Sequence, residues 1–464
     1  MRAVAVIDIG KTNAKLAIVD RDSLRELQVL TTPNPVIESA PYPHFNTTHL
    51  WDFIVSALTT LGGSYDICGI SITTHGASIV LLDQHGNLAT PILDYECDYP
   101  ERTADIYNNI RPPFEHTGSP RLAIGLNVGA QLHWQFTEFP DLHNRVHTVL
   151  TYPQYWAYRL SGIAANEVTS LGCHTDLWNP FSNQYSALVD TLNIRDKMAA
   201  VQPASAVLGP ILPNIASATG LPSNTPVYCG IHDSNASLLT HLQRIDGPFS
   251  VVSTGTWVIC LSPGSSDLSL LDESKDTLLN VNAYGQPTPS SRFMGGREYD
   301  YLVAQYDAVE TRHVIVNEAT TSAFILPAVE SSSGPYPHHT YQWTIDPQTL
   351  TAEERYNVIS FYLAMMTDTC LRLCQASGPI IIEGPFAGNP CYCAMLAAAT
   401  GREVRCQRGS STGTSIGAAL LAPTIVAEDN NQYQLLSDHQ MVQALDGYAD
   451  GWRHHVALHV NEAR

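Results

Sequence analysis

Apolar and polar positions in this chain fall into short blocks whose spacing alternates between strand-like and helix-like. Residues 3–9 (AVAVIDI) and 15–20 (KLAIVD) are mostly apolar, β-branched runs joined by a polar turn at Gly10, a pattern that predicts a hairpin. The pattern returns at 248–262 (PFSVVSTGTWVICLS), again with a Thr/Gly turn between two apolar runs. Between them, YDICGISITTHGASIVLLDQHG (65–86) predicts two strands flanking a turn at Thr74, His75 and Gly76. LTYPQYWAYRLSG (150–162) predicts a helix with a proline start and a glycine stop. TPVYCGIHDSNASLLTHLQ (225–243) predicts a short strand that passes through Gly230 into a helix with Asp233 in its first turn.

The second half opens after Asp246-Gly247-Pro248, whose turn-forming residues mark a linker. ERYNVISFYLAMMTDTCLRLCQASG (354–378) predicts a long helix stopped by Gly378. A buried strand with a glycine-rich exit follows in PIIIEGPFAGNP (379–390), then a helix in CYCAMLAAATG and a strand in EVRC. STGTSIGAALLA (411–422) is a polar, glycine-spaced helix entry with a small apolar face behind it. Two glycine-turn hairpins, each opening a long α/β segment, predict two similarly built domains, 1–245 and 246–464, whose turns face one ligand.

Composition narrows the function classes. The 464 residues carry a net charge of −20 with only 24 Lys+Arg, so most of the surface repels a polyanion and nucleic-acid binding is not expected. A phosphate-bearing ligand must be held locally, by backbone N–H groups, a few cations and a metal ion. Asp8 and Lys11 interrupt the first apolar run, and no unbroken apolar stretch reaches the length of a membrane span, so neither a leader nor a membrane anchor is expected. The 10 Cys lack the paired spacing of a zinc site, and the expectation is reduced, mostly buried thiols in a cytoplasmic protein.

Two motifs invite a reading and fail it. Gly10-Lys11-Thr12 ends like a P-loop, but Ala5 stands where the loop needs its first glycine, and a strand rather than a helix follows. GTSIG (413–417) fits the nucleophile elbow of esterases with Ser415 as nucleophile, but RGSST separates it from the preceding strand. A serine-reactive fluorophosphonate probe labels Ser415 if the elbow is real.

Taken in order, the stretches resemble the FGGY family of carbohydrate kinases, within the actin, sugar-kinase and heat-shock chaperone superfamily. DIGKTNAKL is similar to the family's first phosphate hairpin and STGTW to its second. GIHDSNAS is similar to the segment with the catalytic Asp, while FMGGRE, EGPFAGNP and TSIGAALLA fall where the family has its second-domain loop, adenine-site glycines and final glycine helix. The His232-Asp233 pair and the small residues after it are closest to the branch that phosphorylates deoxy-ketohexoses. Two positions depart from the family pattern: Pro385 and Phe386 follow Gly384 where a glycine triplet is usual, and Lys11 stands where a small hydroxyl residue is usual.

The resemblance implies an α/β fold of two ribonuclease-H-like domains flanking a central cleft. It also implies an ATP- and Mg²⁺-dependent kinase acting on a ketose, L-rhamnulose or L-fuculose first. The alternatives are a pentulose such as xylulose or ribulose, or a non-catalytic sensor of nucleotide or sugar. A homodimer is the family habit, with neither nucleic acid nor membrane as partner. Asp233 has the placement of a general base, a carboxylate kept ionised at a helix N-terminus. Gly10, Thr12 and Asn13 in one turn, and Gly255 and Thr256 in the other, offer donors without bulk for the phosphates; Lys15 adds charge, and Lys11 is open between that role and a solvated one. Asp8 is the natural Mg²⁺ anchor. The resemblance points to His75, Gly76, Asp94, Glu96 and His232 for the sugar, and to Gly384, Gly388 and Asn389 for adenine, with Gly413 and Gly417 letting the last helix approach.

Overall fold

The computed structural model describes residues 2–407, 413–423, 433–436 and 439–462. The chain forms two compact units, each built around one seven-stranded sheet.

In the first unit, β1 (Arg2–Ile9), β2 (Asn13–Asp20) and β3 (Glu26–Pro33) form an antiparallel meander. Helix α1 (Thr47–Gly62) leads to β4 (Asp66–Thr74), which pairs parallel with β1. After α2 (Tyr152–Ser161) come β5 (Val207–Pro210), β6 (Pro226–Tyr228) and β7 (Ile231–His232), and then α3 (Asp233–Leu242). The sheet order is β5-β6-β4-β1-β2-β3, with β7 also on β4.

The continuous apolar run of β1 reflects burial on both faces. Ala3, Ala5, Ile7 and Ile9 face Leu50, Ile54 and Leu58 of α1 and Trp156 of α2. Val4 and Val6 face the other way, toward Ala236 and Leu239 of α3. Each fully buried Val or Ile contributes roughly 1.5–3 kcal/mol. A polar side chain here therefore needs a specific reason, and Asp8 is the one β1 carries after Arg2.

In the second unit, β8 (Ser250–Thr254) and β9 (Val258–Leu261) form the second hairpin. They are followed by β10 (Thr277–Val281), β11 (Pro287–Phe293), α4 (Gly295–Gln305), α5 (Ala352–Leu373), β12 (Ile380–Glu383), α6 (Pro390–Thr400) and β13 (Val404–Gln407). Later in the chain come α7 (Gly413–Ala419), which belongs to the first unit, and then β14 (Tyr433–Leu435) and α8 (His439–Glu462) of the second. The sheet order is β10-β11-β9-β8-β12-β13-β14. Thr351 and Glu354 close a capping box at the start of α5. That helix is apolar on most of its surface because it lies inside the core, beside Ile380 and Ile382 of β12 and Trp452 of α8.

Two outcomes differ from the sequence reading. Helix α5 ends at Leu373, ahead of Gly378, because Gln375 takes the left-handed conformation (φ 50°). The chain also does not divide at one cut: Leu279–Pro287 and the segment with α7 belong to the first unit. Ser411 and Thr412, in the predicted helix entry, lie outside the described residues. Among the described residues, no helix is long and apolar enough to cross a membrane.

Candidate active site

Sheet register brings the first unit's candidate residues together. Parallel pairing sets Asp8 of β1 beside Thr73 of β4, and Thr73 beside Ile231 of β7; one residue further, Ile9, Thr74 and His232 form the next row. The turns that leave these strands emerge together at their C-terminal ends, the usual place for a ligand in an α/β sheet. The first turn closes with Gly10 N–H donating to Asn13 O at 2.9 Å. Asn34 holds it from behind, its backbone N–H on Thr12 O at 2.8 Å and its Nδ2 on Gly10 O at 2.9 Å. Thr12 and Asn13 are exposed. Gly76 abuts His232: a Cβ there would lie 2.9 Å from His232 Nε2.

Asp233 is the first residue of α3. Its Oδ1 accepts from Ser234 N–H at 2.6 Å and from Ser234 Oγ at 3.2 Å, and it lies 3.2 Å from His232 Nε2. Oδ2 has no partner among the described residues, and the side chain is 32% exposed. One oxygen is thus held and the other is free. Burial pulls the His232 imidazole toward neutrality, but Cys173, Asp233 and Glu167 together outweigh it and raise its pKa. The contact of His232 Nε2 with Asp233 Oδ1 holds the carboxylate's rotamer.

Behind this pair lies a buried chain of hydrogen bonds. The N–H of His232 donates to Thr169 Oγ1 at 3.0 Å, and Thr169 Oγ1 donates in turn to Glu167 Oε2. Burial pushes the Glu167 carboxyl up to about 7 against the lowering effect of the Thr169 bonds. Its Oε1 has no hydrogen-bond partner among the described residues.

Asp8 pairs across the first hairpin with Lys15, at 3.3 Å. Burial raises its pKa to about 6 although Lys15 opposes the shift, and the negative charge of Asp233 adds to the rise. The two carboxylates therefore share one electrostatic neighbourhood. Among the described residues there is no cluster of three or more His, Cys, Asp or Glu side chains fit to hold a metal. A single carboxylate fits Mg²⁺, which keeps most of its waters and takes its other ligands from phosphate, better than a metal caged by protein.

His75 sits in an aromatic cage, its ring centroid 5.0 Å from Phe45, 5.2 Å from Tyr95 and 4.9 Å from Tyr152. Burial pulls its pKa down to about 4, so the ring is neutral. Its Nδ1 lies 2.8 Å from Gly76 O, and Nε2 has no partner among the described residues. Asp94 is nearly buried and Glu96 largely exposed. Lys11 turns toward these carboxylates, hydrogen-bonding Asp94 Oδ1 and lying 3.3 Å from Glu96 Oε2. The sequence left Lys11 open between the phosphates and a solvated role; in the structure two carboxylates, Asp94 and Glu96, hold it.

The second unit gathers the other predicted residues around Thr254. Gly255 N–H closes the second turn on Trp257 O at 3.0 Å, and Gly255 and Thr256 are exposed. Thr254 Oγ1 donates to Glu383 O at 2.6 Å and accepts from Phe386 N–H at 3.1 Å. A Cβ on Gly296 would lie 2.0 Å from Gly255 O, so FMGGRE carries glycine where α4 presses on the turn. Gly384 has φ +83° and would meet Thr254 O at 2.0 Å, which excludes any side chain there.

Beside this hub lies a cavity of about 550 Å³ lined by Gly255, Thr256, Tyr299, Tyr356, Phe386 and Gly388, among others. Phe386 packs against Tyr299 and Tyr392, at 5.7 and 5.0 Å, so the bulk that replaces a glycine triplet points into the core and the cavity stays open. Asn389 lines the cavity, but its side chain caps α6 through Tyr392 N–H and bonds Ser360.

The final glycine helix does something the sequence did not reveal. A Cβ on Gly417 would lie 1.7 Å from Ala236 O, and one on Gly413 would lie 3.3 Å from Ser237 Oγ. What α7 approaches is α3, the helix headed by Asp233. Ser415 is buried within α7, so it cannot serve as an exposed nucleophile.

Residues 3–240 match the N-terminal domain of the FGGY family of carbohydrate kinases, and residues 246–432 match the carbohydrate kinase FGGY C-terminal domain. The chain belongs to the FGGY family of carbohydrate kinases. This FGGY kinase is 27% identical over 338 residues to L-fuculokinase of Escherichia coli strain K12, across 68% of this chain and 69% of that protein. L-Fuculokinase of Salmonella typhi is 25% identical over 286 residues, a match spanning 58% of each chain. Rhamnulokinase of Bacillus subtilis is 22% identical over 263 residues, 54% of this chain and 52% of that protein.

Among solved structures, a carbohydrate kinase from Novosphingobium aromaticivorans has a TM-score of 0.88 at 33% identity over 98% of both chains. A ligand-bound xylulose kinase from Lactobacillus acidophilus has a TM-score of 0.78 at 14% identity over the whole of both, a likeness of fold alone. The FGGY kinase thus has the two-domain, actin/hexokinase-like fold of the sugar kinases, and its activity is phosphorylation of a carbohydrate. Carbohydrate kinases of this family use ATP.

Sequence reasoning missed Asn34, Phe45, Tyr152, Glu167 and Thr169 in the first unit, and Tyr299 and Tyr356 in the second. None lies in a glycine-marked turn. Glu167 had one available signal, a lone carboxylate ahead of a buried apolar turn.

Proposed function

We propose that this kinase transfers the γ-phosphoryl group of ATP to a hydroxyl of a ketose, with a deoxy-ketohexose such as L-rhamnulose or L-fuculose as acceptor and Asp233 as general base. One observation carries the reading. Asp233 has Oδ1 held by Ser234 and His232 and Oδ2 unpartnered and accessible. That arrangement suits a carboxylate that takes one proton in one direction. The positive end of α3 lies at this carboxylate, where a negative charge is favoured.

Asp8 is the residue that would hold Mg²⁺, which when bound neutralises charge on the β- and γ-phosphates. Lys15 keeps Asp8 oriented, and the exposed Thr12 and Asn13 of the first turn offer donors to phosphate oxygens. His75, Gly76, Asp94, Glu96 and His232 form the acceptor side. In the second unit, Gly255 and Thr256 serve the phosphates, and the cavity beside Gly384, Gly388 and Asn389 receives the base, with Phe386 and Tyr299 as its aromatic wall. The choice of deoxy-ketohexose is supported by the relatives named L-fuculokinase and rhamnulokinase. All ten cysteines are free thiols, which suits the reducing cytoplasm as the site of action, and we expect a homodimer.

The test is sugar-dependent ADP release from a panel of deoxy-ketohexoses, pentuloses and polyols, run beside Asp233→Ala. The expected result is a preference for a deoxy-ketohexose and a loss of turnover by orders of magnitude in the variant with ATP binding intact. Equal turnover in Asp233→Ala removes it from the base role. A pentulose preference moves the substrate, and ATP binding without sugar-dependent ADP release makes the protein a sensor.

A further inference from the structure

Lys11 leaves the phosphate turn sideways and enters a small, ordered group of side chains. Its ammonium lies 5.2 Å from the Phe45 ring centroid and 5.0 Å from that of Tyr95, within cation–π range of both. The same two rings flank His75, and Gly76 abuts His232, so this group is on the acceptor side. An ammonium has three donors. One is on Asp94 Oδ1 and one reaches Glu96 Oε2.

The two carboxylates are not equivalent. The Asp94 side chain is 8% exposed, and its Oδ1 also accepts from Glu96 N–H at 3.3 Å, so it is fixed. Its Oδ2 has no partner among the described residues. The Glu96 side chain is 60% exposed, and an ion pair that open to water adds little and exchanges readily. Lys11 therefore has one firm partner and a donor that a ligand oxygen can claim, next to a free carboxylate oxygen on Asp94.

We propose that Lys11 and Asp94 form a clamp for two adjacent hydroxyls of a neutral acceptor. The inference rests on the acceptor reading above. Lys11 donates to the oxygen of one hydroxyl, Asp94 Oδ2 accepts the proton of its neighbour, and the Phe45 and Tyr95 rings wall the carbon face between them. One cation set against two carboxylates leaves the group net negative, so a sugar acid is repelled where a polyol is welcomed. The residue after Gly10, placed inside a phosphate turn by its sequence, is then a specificity determinant for the sugar.

The experiment compares wild type, Lys11→Met and Lys11→Arg by coupled ADP release, with KM measured separately for sugar and for ATP. Melting shifts induced by sugar alone and by ATP alone are measured beside it. A lost charge-assisted hydrogen bond predicts that Lys11→Met raises the sugar KM about 10- to 100-fold and leaves the ATP KM within about twofold. Its sugar-induced melting shift disappears while the ATP-induced one persists. Lys11→Arg recovers part of the affinity, and wild type prefers a ketose to the corresponding sugar acid. A raised ATP KM with an unchanged sugar KM puts Lys11 back on the phosphates and overturns the clamp alone. So does a preference for the sugar acid. Wild type that binds ATP but releases ADP with no sugar sinks the acceptor reading and the clamp together.

Discussion

The two hairpins that open the two units share a plan and divide the chemistry. Each is an antiparallel pair with a third antiparallel strand on one side and a parallel strand on the other: β3-β2-β1-β4 in the first unit, β11-β9-β8-β12 in the second. Each turn closes on a glycine N–H. The difference lies one register step from the turn, where Asp8 faces Lys15 in the first hairpin and Ser253 faces Ile259 in the second. One hairpin carries a carboxylate paired with a cation at that step, and the other an uncharged hydroxyl opposite an apolar side chain. A shared backbone scheme thus leaves charge free to be allotted to one unit.

The comparison breaks hardest at Asp8. Making the first hairpin resemble the second with Asp8→Ser should lower kcat about 10²- to 10³-fold, the scale of removing one charge-stabilising group. Steady-state assays at rising Mg²⁺ check it, and a variant within threefold of wild type means the two hairpins are chemically alike. Next comes the second turn. Gly296→Val forces carbon onto Gly255 O, so the ATP KM should rise by roughly tenfold or more with the sugar KM unchanged; a shift in the sugar KM instead would place that turn with the acceptor.

A third test uses a likeness. Each unit buries one carboxyl raised to about 7 by desolvation: Glu167 in the first, and Glu298, bonded to Tyr362 Oη and Glu330 N–H, in the second. Between an unfolded pKa near 4.5 and about 7, the folded chain binds more protons than the unfolded one. Stability should therefore fall as pH rises through that window and level off above it. Each group costs up to about 3 kcal/mol once ionised. Calorimetry at pH 5 and 7.5 should show lower melting at the higher pH, and a flat profile would mean these carboxyls are solvated. The smallest effect is expected at Ser253→Ala, within about twofold on every kinetic constant, since its side chain is exposed and its place in the register carries no charge.

Local pattern made most of the fold legible. Both hairpins, the strand–Gly230–helix passage to Asp233 and the glycine-stopped α2 are fixed by neighbours in sequence. The positions of Asp8, His75 and Asp233 were readable because they sit at strand ends or turns beside glycine. Their common address depends on the parallel pairing of β1, β4 and β7, which sequence spacing alone does not express. Lys11 shows the limit. Its sequence neighbours are residues of the first turn, while its actual partners, Asp94 and Glu96, are more than eighty residues away. The Glu167–Thr169–His232 chain was hidden for the same reason: it spans 63 residues at its widest step and uses a backbone N–H.

The seating of α7 against Ala236 bears on how the protein is made. Ile416, Ala418 and Ala419 cover the face of the first sheet that carries Val4 and Val6, and Ser71 Oγ bonds Ala418 O at 2.7 Å. A ribosome that has finished the first half of the chain has therefore not yet supplied the helix that covers this face. The nascent segment must wait, with an oily patch uncovered, until Gly413–Ala419 emerges. Splitting the gene at the linker would yield a sticky fragment rather than a working half.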